Sequence, residues 1–467
     1  MKSEGAGARI TFLGAAGTVT GSRHLLEVQD SYYLIDCGLF QGGSKLKERN
    51  WKPFPVSLDR LEAIFLTHAH IDHTGYVPAL VAQGFSGPIY ATEATCELLK
   101  VLLRDSAYLQ EQEAAYANKR GYTNHHPALP LYTVDDAEKA LQLLRPVTYE
   151  EPLELDYLKV QWTPAGHLLG SAIVEITIES GTGKRKLVFS GDLGRYTSDI
   201  MKPPQSVSTA DVLVIESTYG DRLHEDESVD DCLTQIIQKI VSTQGVLLIP
   251  SFAVGRTQQI LYRVRRLQDR GLVPAVPVFI DSPMATSSTH IYCRFGDEHN
   301  LSVDLLMDDK VCPLNCPETR FVKDVQESKE LNQMPGPAIV ISASGMCTGG
   351  RILHHLKWRL PHKKNSVLFV GYQGQGTTGR RLVDGAKEIS IHGERIAVNA
   401  DIVTVSALSG HADQGEIMRW LSGFESAPKT TFIVHGEPES SLGLKGKIEE
   451  TLDWNVVVPK NGDRVEI

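Results

Sequence analysis

The chain has 467 residues, 42% of them apolar and 22% charged, a composition that excludes a disordered or fibrous protein and leaves an ordinary globular one of about three domains. No apolar stretch approaches the ~20 residues that span a bilayer, and the start Met1-Lys2-Ser3-Glu4-Gly5-Ala6-Gly7 leads into a strand rather than an apolar leader, so a cytoplasmic location without membrane contact is expected. The seven cysteines, an odd number scattered from Cys37 to Cys347, form no disulfide framework, which suits a reducing compartment. Cys312 and Cys316 lie four apart with no second pair, too little for a structural zinc.

In chain order, the apolar run 32–35 reads as a strand and ends in Asp36. The run 63–66 leads into Thr67-His68-Ala69-His70-Ile71-Asp72-His73-Thr74-Gly75, which packs three imidazoles and a carboxylate into six residues. Residues two apart on an extended segment point the same way, so His68 and His70 grip one cation while Asp72 and His73, past a turn, face a second. A helical zinc motif would instead space its histidines four apart with a glutamate beside the first. Two stretches with helical apolar spacing, 93 to about 117 and about 134 to 144, are expected to cover the flank of the site. Run 158–162 is followed by Pro164-Ala165-Gly166-His167, run 186–189 by Ser190-Gly191-Asp192, run 212–215 by Glu216, and run 431–434 by His435-Gly436-Glu437. Near-continuous apolar runs read as buried strands, and a metal-binding or acid–base group at each exit puts a site along one edge of a sheet.

The middle of the chain reads differently. Runs 246–249, 276–280, 338–341 and 367–370 are strands separated by helical or loop segments, the pattern of a doubly wound parallel sheet. Gly374-Gln375-Gly376-Thr377-Thr378-Gly379 matches a dinucleotide fingerprint, with Glu394 near the spacing of a ribose-binding acid, yet Gly385 and Gly393 interrupt the helix that should follow. His24, His125, His126, His290, His299, His354, His355, His362 and His392 fit no ligand motif. No tandem repeat or long low-complexity segment is apparent.

His68-x-His70-x-Asp72-His73, followed by His167 and Asp192 and preceded by Asp36, resembles the metallo-β-lactamase superfamily. Glu216, the segment Ser406-Ala407-Leu408-Ser409-Gly410-His411-Ala412-Asp413 and Val434-His435-Gly436-Glu437 resemble motifs A, B and C of its β-CASP nucleases, which include the nuclease subunit of the cleavage and polyadenylation specificity factor and its prokaryotic relatives. A histidine at motif C matches that branch. The resemblance covers essentially the whole chain and implies an α/β fold: a metallo-β-lactamase αββα sandwich (1–220 and 401–467) with an inserted β-CASP domain on a mostly parallel sheet (221–400), the active site lying in the cleft between them. It implies one metal held by His68, His70, His167 and Asp192 and another by Asp72, His73, Asp192 and His435, with Asp192 as the bridge. Asp36 is placed beneath the cluster, orienting a ligand or the bridging water. Loops 250–256, 342–351 and 371–380 look like β-CASP loops, where glycine lets backbone N–H groups approach phosphate and Ser344, Gly345, Arg256, Arg351 and Arg380 complete a substrate clamp.

Seven donors and a carboxylate bridge favour two zinc ions (Zn2+) per chain, with manganese (Mn2+) as the alternative. Two cations ~3.5–4 Å apart bring the pKa of a shared water toward ~7 and stabilise a phosphoryl group under in-line attack, so phosphodiester hydrolysis is the natural task. His411, paired with Glu216, is the expected proton donor to the leaving oxygen. The main reading is a ribonuclease of single-stranded RNA, endonucleolytic with 5′-exonuclease action open beside it. A two-metal hydrolase of another ester or thioester and a non-cleaving RNA-binding scaffold are the alternatives. A net charge of −10 repels RNA as a whole, so binding must rest on the metals and on local basic surface; the candidates are Arg263, Arg265, Arg266 and Arg270, and Lys357, Arg359, Lys363 and Lys364, with a solvated helix face as the other reading of each. Relatives carry further RNA-binding or dimerisation domains for which no room is expected beyond Ile467, which leaves a homodimer open.

Overall fold

The computed structural model describes residues 7–121, 127–180, 183–224, 228–301, 314, 318–371, 373–374, 376–405 and 408–467. Of the positions discussed above, His125, His126, Cys312, Cys316, Tyr372, Gln375, Ser406 and Ala407 lie outside the described residues. Met1–Leu223 with His411–Ile467 forms one compact unit and His224–Gly410 a second.

The first unit opens with strands β1 (Arg9–Phe12), β2 (His24–Val28), β3 (Ser31–Ile35), β4 (Leu61–Phe65), β5 (Ile89–Thr92) and β6 (Leu144–Val147). It continues with β7 (Leu153–Glu154), β8 (Leu158–Pro164), β9 (Ala172–Ser180), β10 (Gly183–Phe189) and β11 (Val212–Glu216). The second unit carries β12 (Val246–Pro250), β13 (Val278–Asp281), β14 (Thr319–Phe321), β15 (Ala338–Ser342), β16 (Ser366–Phe369), the hairpin β17 (Glu388–Ile391) and β18 (Glu394–Ala397), and β19 (Asp401–Thr404). The chain then completes the first unit with β20 (Thr430–Val434), β21 (Val456–Val457) and β22 (Arg464–Glu466).

In the first unit two seven-stranded sheets form, ordered β22-β1-β2-β3-β4-β5-β6 and β21-β20-β11-β10-β9-β8-β7. Their facing sides bury Phe12, Phe65, Trp162, Phe189, Val214 and Phe432 in one core. The other side of the second sheet packs Val188, Leu213, Ile215 and Ile433 against Ile417, Trp420, Leu444 and Ile448 of the helices Gln414–Leu421 and Pro438–Leu452. The long helix Glu93–Arg120 lies along β5 and β6, with Thr92 capping its first turn through Thr95 N. These four layers are the αββα sandwich expected.

Parallel pairing decides where the strand exits gather. β3 and β4 are parallel, so Asp36 and the Thr67–His73 loop emerge together. β10, β11 and β20 are parallel, so Asp192, Glu216 and His435 do the same. β8 is antiparallel to β9, which is antiparallel to β10, so β8 and β10 run alike and His167 leaves on the side of Asp192.

Trp162, fully buried, ties the layers together: its ring meets Phe65 edge-on at 5.9 Å and its Nε1 donates to Leu66 O at 3.0 Å. Trp162→Ala is expected to cost about 3–5 kcal/mol through the cavity it leaves, read as a lower denaturant midpoint.

In the second unit a six-stranded sheet, β14-β13-β15-β12-β16-β19, is parallel throughout, as its near-continuous apolar strands require. One face buries residues of the helices Val229–Thr243, Arg256–Asp269 and Pro283–Arg294, the other those of Val325–Gln333, Arg351–Arg359 and Thr378–Val383. After the glycine-rich 374–379 segment the chain makes a six-residue helix and the antiparallel β17–β18 hairpin. That is not the βαβ unit a dinucleotide fingerprint serves, and Glu394 is bonded to Lys357 at 2.6 Å.

Among the described residues Cys37, Cys96 and Cys347 carry free thiols, whereas Cys293 is disulfide-bonded. No helix among the described residues is long and apolar enough to cross a membrane.

Candidate metal centre

The exits converge on Asp192, which is 2% exposed. Its Oδ2 faces His68 Nε2 at 3.4 Å and His167 Nε2 at 3.6 Å, while its Oδ1 faces His73 Nε2 at 3.3 Å and His435 Nδ1 at 3.4 Å. On the first side His70 Nδ1 stands 3.1 Å from His68 Nε2 and 3.3 Å from His167 Nε2. On the second, His435 Nε2 lies 3.0 Å from His73 Nε2 and 3.5 Å from Asp72 Oδ2. Two groups able to hold a metal result, His68 with His70, His167 and Asp192, and Asp72 with His73 and His435; Asp192, Glu216 and His435 form a third, overlapping grouping.

Local backbone chemistry explains the tightness. The loop leaves β4 and turns after His70 into the short helix Ile71–Thr74, which carries Asp72 and His73, with the His73 ring 4.1 Å from that of His68. Gly38 passes so close to the Asp72 carbonyl that no Cβ fits between them, and Gly191, at φ +53°, would bring a Cβ to 2.7 Å from Thr67 Cβ.

Ring nitrogens of His73, His68 and His435 also meet partners outside the cluster. Asp36 Oδ2 accepts from His73 Nδ1 at 2.6 Å, and the same carboxylate receives Thr67 N at 2.9 Å and Ser22 Oγ at 3.1 Å. Thr67 Oγ1 lies 3.0 Å from His68 Nδ1, and Thr218 Oγ1 3.1 Å from His435 Nδ1. The sequence reading gives Thr67, Ser22 and Thr218 no role; that of Thr218, two residues beyond Glu216, is visible only once β11 and β20 pair.

The donor set fits divalent metal ions. Three imidazole nitrogens crowd within 3.1–3.6 Å of one another or of Asp192 Oδ2, donors that a cation between them would satisfy together, and among the described residues Asp192 Oδ1 is buried without a hydrogen-bond partner. Burial, with His73 next, pushes His68 well below the usual imidazole range, and burial takes His70 down to about 4, so both are neutral and able to ligate near neutral pH. Burial works against charge on Asp72 as well, but the hydrogen bond from His435 and the neighbouring histidines bring it down to about 2.

Beside the cluster, His411 Nδ1 is 3.1 Å from Glu216 Oε2 and 3.8 Å from Asp192 Oδ2. Glu216, fully buried, also accepts from Leu193 N at 2.7 Å. Burial alone would lower the His411 pKa, but Glu216 and Asp192 outweigh it and raise it to about 9.

The expected substrate-binding residues all lie in the second unit. Arg256 opens the helix Arg256–Asp269 and donates to Gln259 Oε1 at 2.8 Å. Ser344 and Gly345 follow β15, with Ser344 Oγ 3.1 Å from Thr348 Oγ1. Arg351 is paired with Asp281 at 2.6 Å and Arg380 with Asp384 at 2.7 Å. The expected basic surfaces need correction. Arg263 and Arg266 share Asp230 at 2.7 and 2.6 Å, Arg265 pairs with Asp269 at 3.3 Å, and Arg359 is buried, donating to Leu331 O and Met334 O at 2.8 and 2.7 Å. Of the unassigned histidines, His24 is buried between Phe12 and Phe189 and burial takes it down to about 4, His299 Nε2 meets Tyr292 O at 3.2 Å, and His355 is bonded to Asp281.

Two stacked mixed sheets carrying a histidine-rich centre with a shared aspartate define a metallo-β-lactamase fold. Residues 31–230 match the model of the beta-lactamase superfamily domain, 257–382 that of the Beta-Casp domain and 395–459 that of the Zn-dependent metallo-hydrolase RNA specificity domain. The chain is 38% identical to ribonuclease TTHA0252 of Thermus thermophilus over 98% of its own length and 100% of that protein. It is 30% identical to transcription termination factor FttA of Methanocaldococcus jannaschii over 98% of its length and 72% of that protein. A crystal structure of an Enterococcus faecalis protein of unknown function matches with a TM-score of 0.54 at 13% identity, covering 99% of this chain and 100% of that one; it speaks to the fold alone. The chain belongs to the β-CASP family of the metallo-β-lactamase superfamily.

Proposed function

We propose that this protein is a metal-dependent ribonuclease that hydrolyses RNA phosphodiester bonds with two zinc ions, one on His68, His70, His167 and Asp192 and one on Asp72, His73, Asp192 and His435. The observation that carries the reading is the shared Asp192 carboxylate, whose two oxygens face the two histidine groups. The printed name of the Thermus thermophilus relative supports RNA as the substrate. When bound, the cations act as Lewis acids on phosphoryl oxygens and acidify water toward neutral pH. Asp36 keeps His73 turned toward the centre by holding its Nδ1. Glu216 holds His411 Nδ1 and keeps the imidazolium charged near neutral pH, leaving Nε2 to protonate the departing ribose oxygen. Arg256, Arg351 and Arg380, with the Ser344–Gly345 loop, contact the single-stranded backbone. Endonucleolytic cleavage, a cytoplasmic location and a homodimer belong to the same proposal.

Elemental analysis is expected to give two zinc ions per chain, and RNA labelled at either end to be cut internally by untreated protein and left intact after chelation. Chelator-resistant cleavage, or bound but uncut RNA, overturns the assignment; labelled mononucleotide alone makes it an exonuclease.

A further inference from the structure

The second unit contains a buried ionic cluster that the reaction described above does not use. Asp281 is the last residue of β13, and its carboxylate is fully buried. Its Oδ2 accepts from Ser328 Oγ and from His355 Nε2, both at 2.6 Å, and its Oδ1 accepts from Arg351 Nη1, also at 2.6 Å. His355 is fully buried and, among the described residues, its Nδ1 meets no hydrogen-bond partner, so within them the bond to Asp281 is the ring's polar contact. Burial opposes the Asp281 charge, but His355, Ser328 and Arg351 together hold its pKa below the usual carboxylate range.

Such a cluster is a poor device for stability alone, because desolvating the charges costs as much as the pairing returns. What it does achieve is placement. Ser328 and His355 hold one oxygen of the carboxylate, and the other oxygen fixes one nitrogen of Arg351, whose side chain keeps 22% of its surface exposed. Arg351 starts its helix at the carboxyl end of β15, next to β13 in the sheet. This is the edge where open parallel sheets take ligands, and on it the loop after β12 leaves Phe252 45% exposed.

We propose that Asp281, backed by His355 and Ser328, is a positioning residue that presents the Arg351 guanidinium to a backbone phosphate of single-stranded nucleic acid. The proposal rests on the ribonuclease reading. Pinned by Nη1, the guanidinium meets the phosphate with its remaining N–H groups already oriented, so less side-chain freedom is lost on binding.

The test measures RNA affinity across a salt series for Asp281→Asn, Arg351→Ala and the double variant. Asp281→Asn is expected to weaken binding by a factor close to that of Arg351→Ala and to flatten the log–log salt slope by about 0.7, one phosphate contact on a single strand. In the Arg351→Ala background it should cause no further loss. Metal content should stay at wild-type level. Wild-type RNA affinity and slope in Asp281→Asn, or losses that add in full in the double variant, overturn the proposal while leaving the ribonuclease reading intact; wild-type protein that binds no RNA overturns both. Should Asp281→Asn not fold, Ser328→Ala, which removes one bond to Oδ2, is expected to give a smaller loss of affinity that likewise vanishes without Arg351, and unchanged affinity there overturns the proposal.

Discussion

Asp192→Asn is expected to lose metal and hydrolysis together. Each Asp192 oxygen faces a different histidine group, and replacing one by an amide removes the negative charge that offsets two dications while leaving the side-chain shape nearly unchanged. The rate should fall by more than the ~10- to 100-fold typical when a partner that merely orients a ligand is lost. Asp36→Asn supplies that comparison, since Asp36 touches the cluster through His73 Nδ1 alone among the histidines. An Asp192→Asn protein that retains both zinc ions, or an Asp36→Asn protein that loses more metal than Asp192→Asn, contradicts the ligand assignment.

His411→Ala separates proton donation from metal binding. Both zinc ions should remain and the rate should drop about 10²- to 10⁴-fold, the usual range for a general acid. Direction can be checked as well. Glu216 and Asp192 raise the His411 pKa to about 9 against the effect of burial, and only the protonated ring donates, so activity should decline on the alkaline side as that proton is lost. Glu216→Gln removes the larger of the two raising influences, and the alkaline decline should then move to lower pH. Metal loss in His411→Ala places the residue among the ligands; an alkaline limb that does not move in Glu216→Gln rules out the ring as the titrating acid.

Much of the centre was legible in the chain because its chemistry is carried locally. His68, His70, Asp72 and His73 are contiguous, and His167, Asp192, Glu216 and His435 each follow an apolar run, so strand exits could be recognised without knowing which strands pair. The same local reasoning found the parallel sheet of the second unit in its uninterrupted apolar runs. Charge was read badly for the opposite reason. Arg263 and Arg266 look like a basic helix face until Asp230, more than thirty residues earlier, is seen to pair with both, and Arg359 looks exposed until its helix packs and turns it inward onto two carbonyls.

The amino-acid sequence by itself determined which side chains are able to hold a metal or move a proton and that they follow strands, since donor type and strand period are properties of neighbouring residues. Tertiary structure alone decided what each of those groups meets. Asp36 reaches His73, Thr218 reaches His435 and Asp281 joins Ser328, Arg351 and His355 only because strands and helices far apart in the chain pack together, and a hydrogen bond between distant segments leaves no periodic trace in the sequence on either side of it.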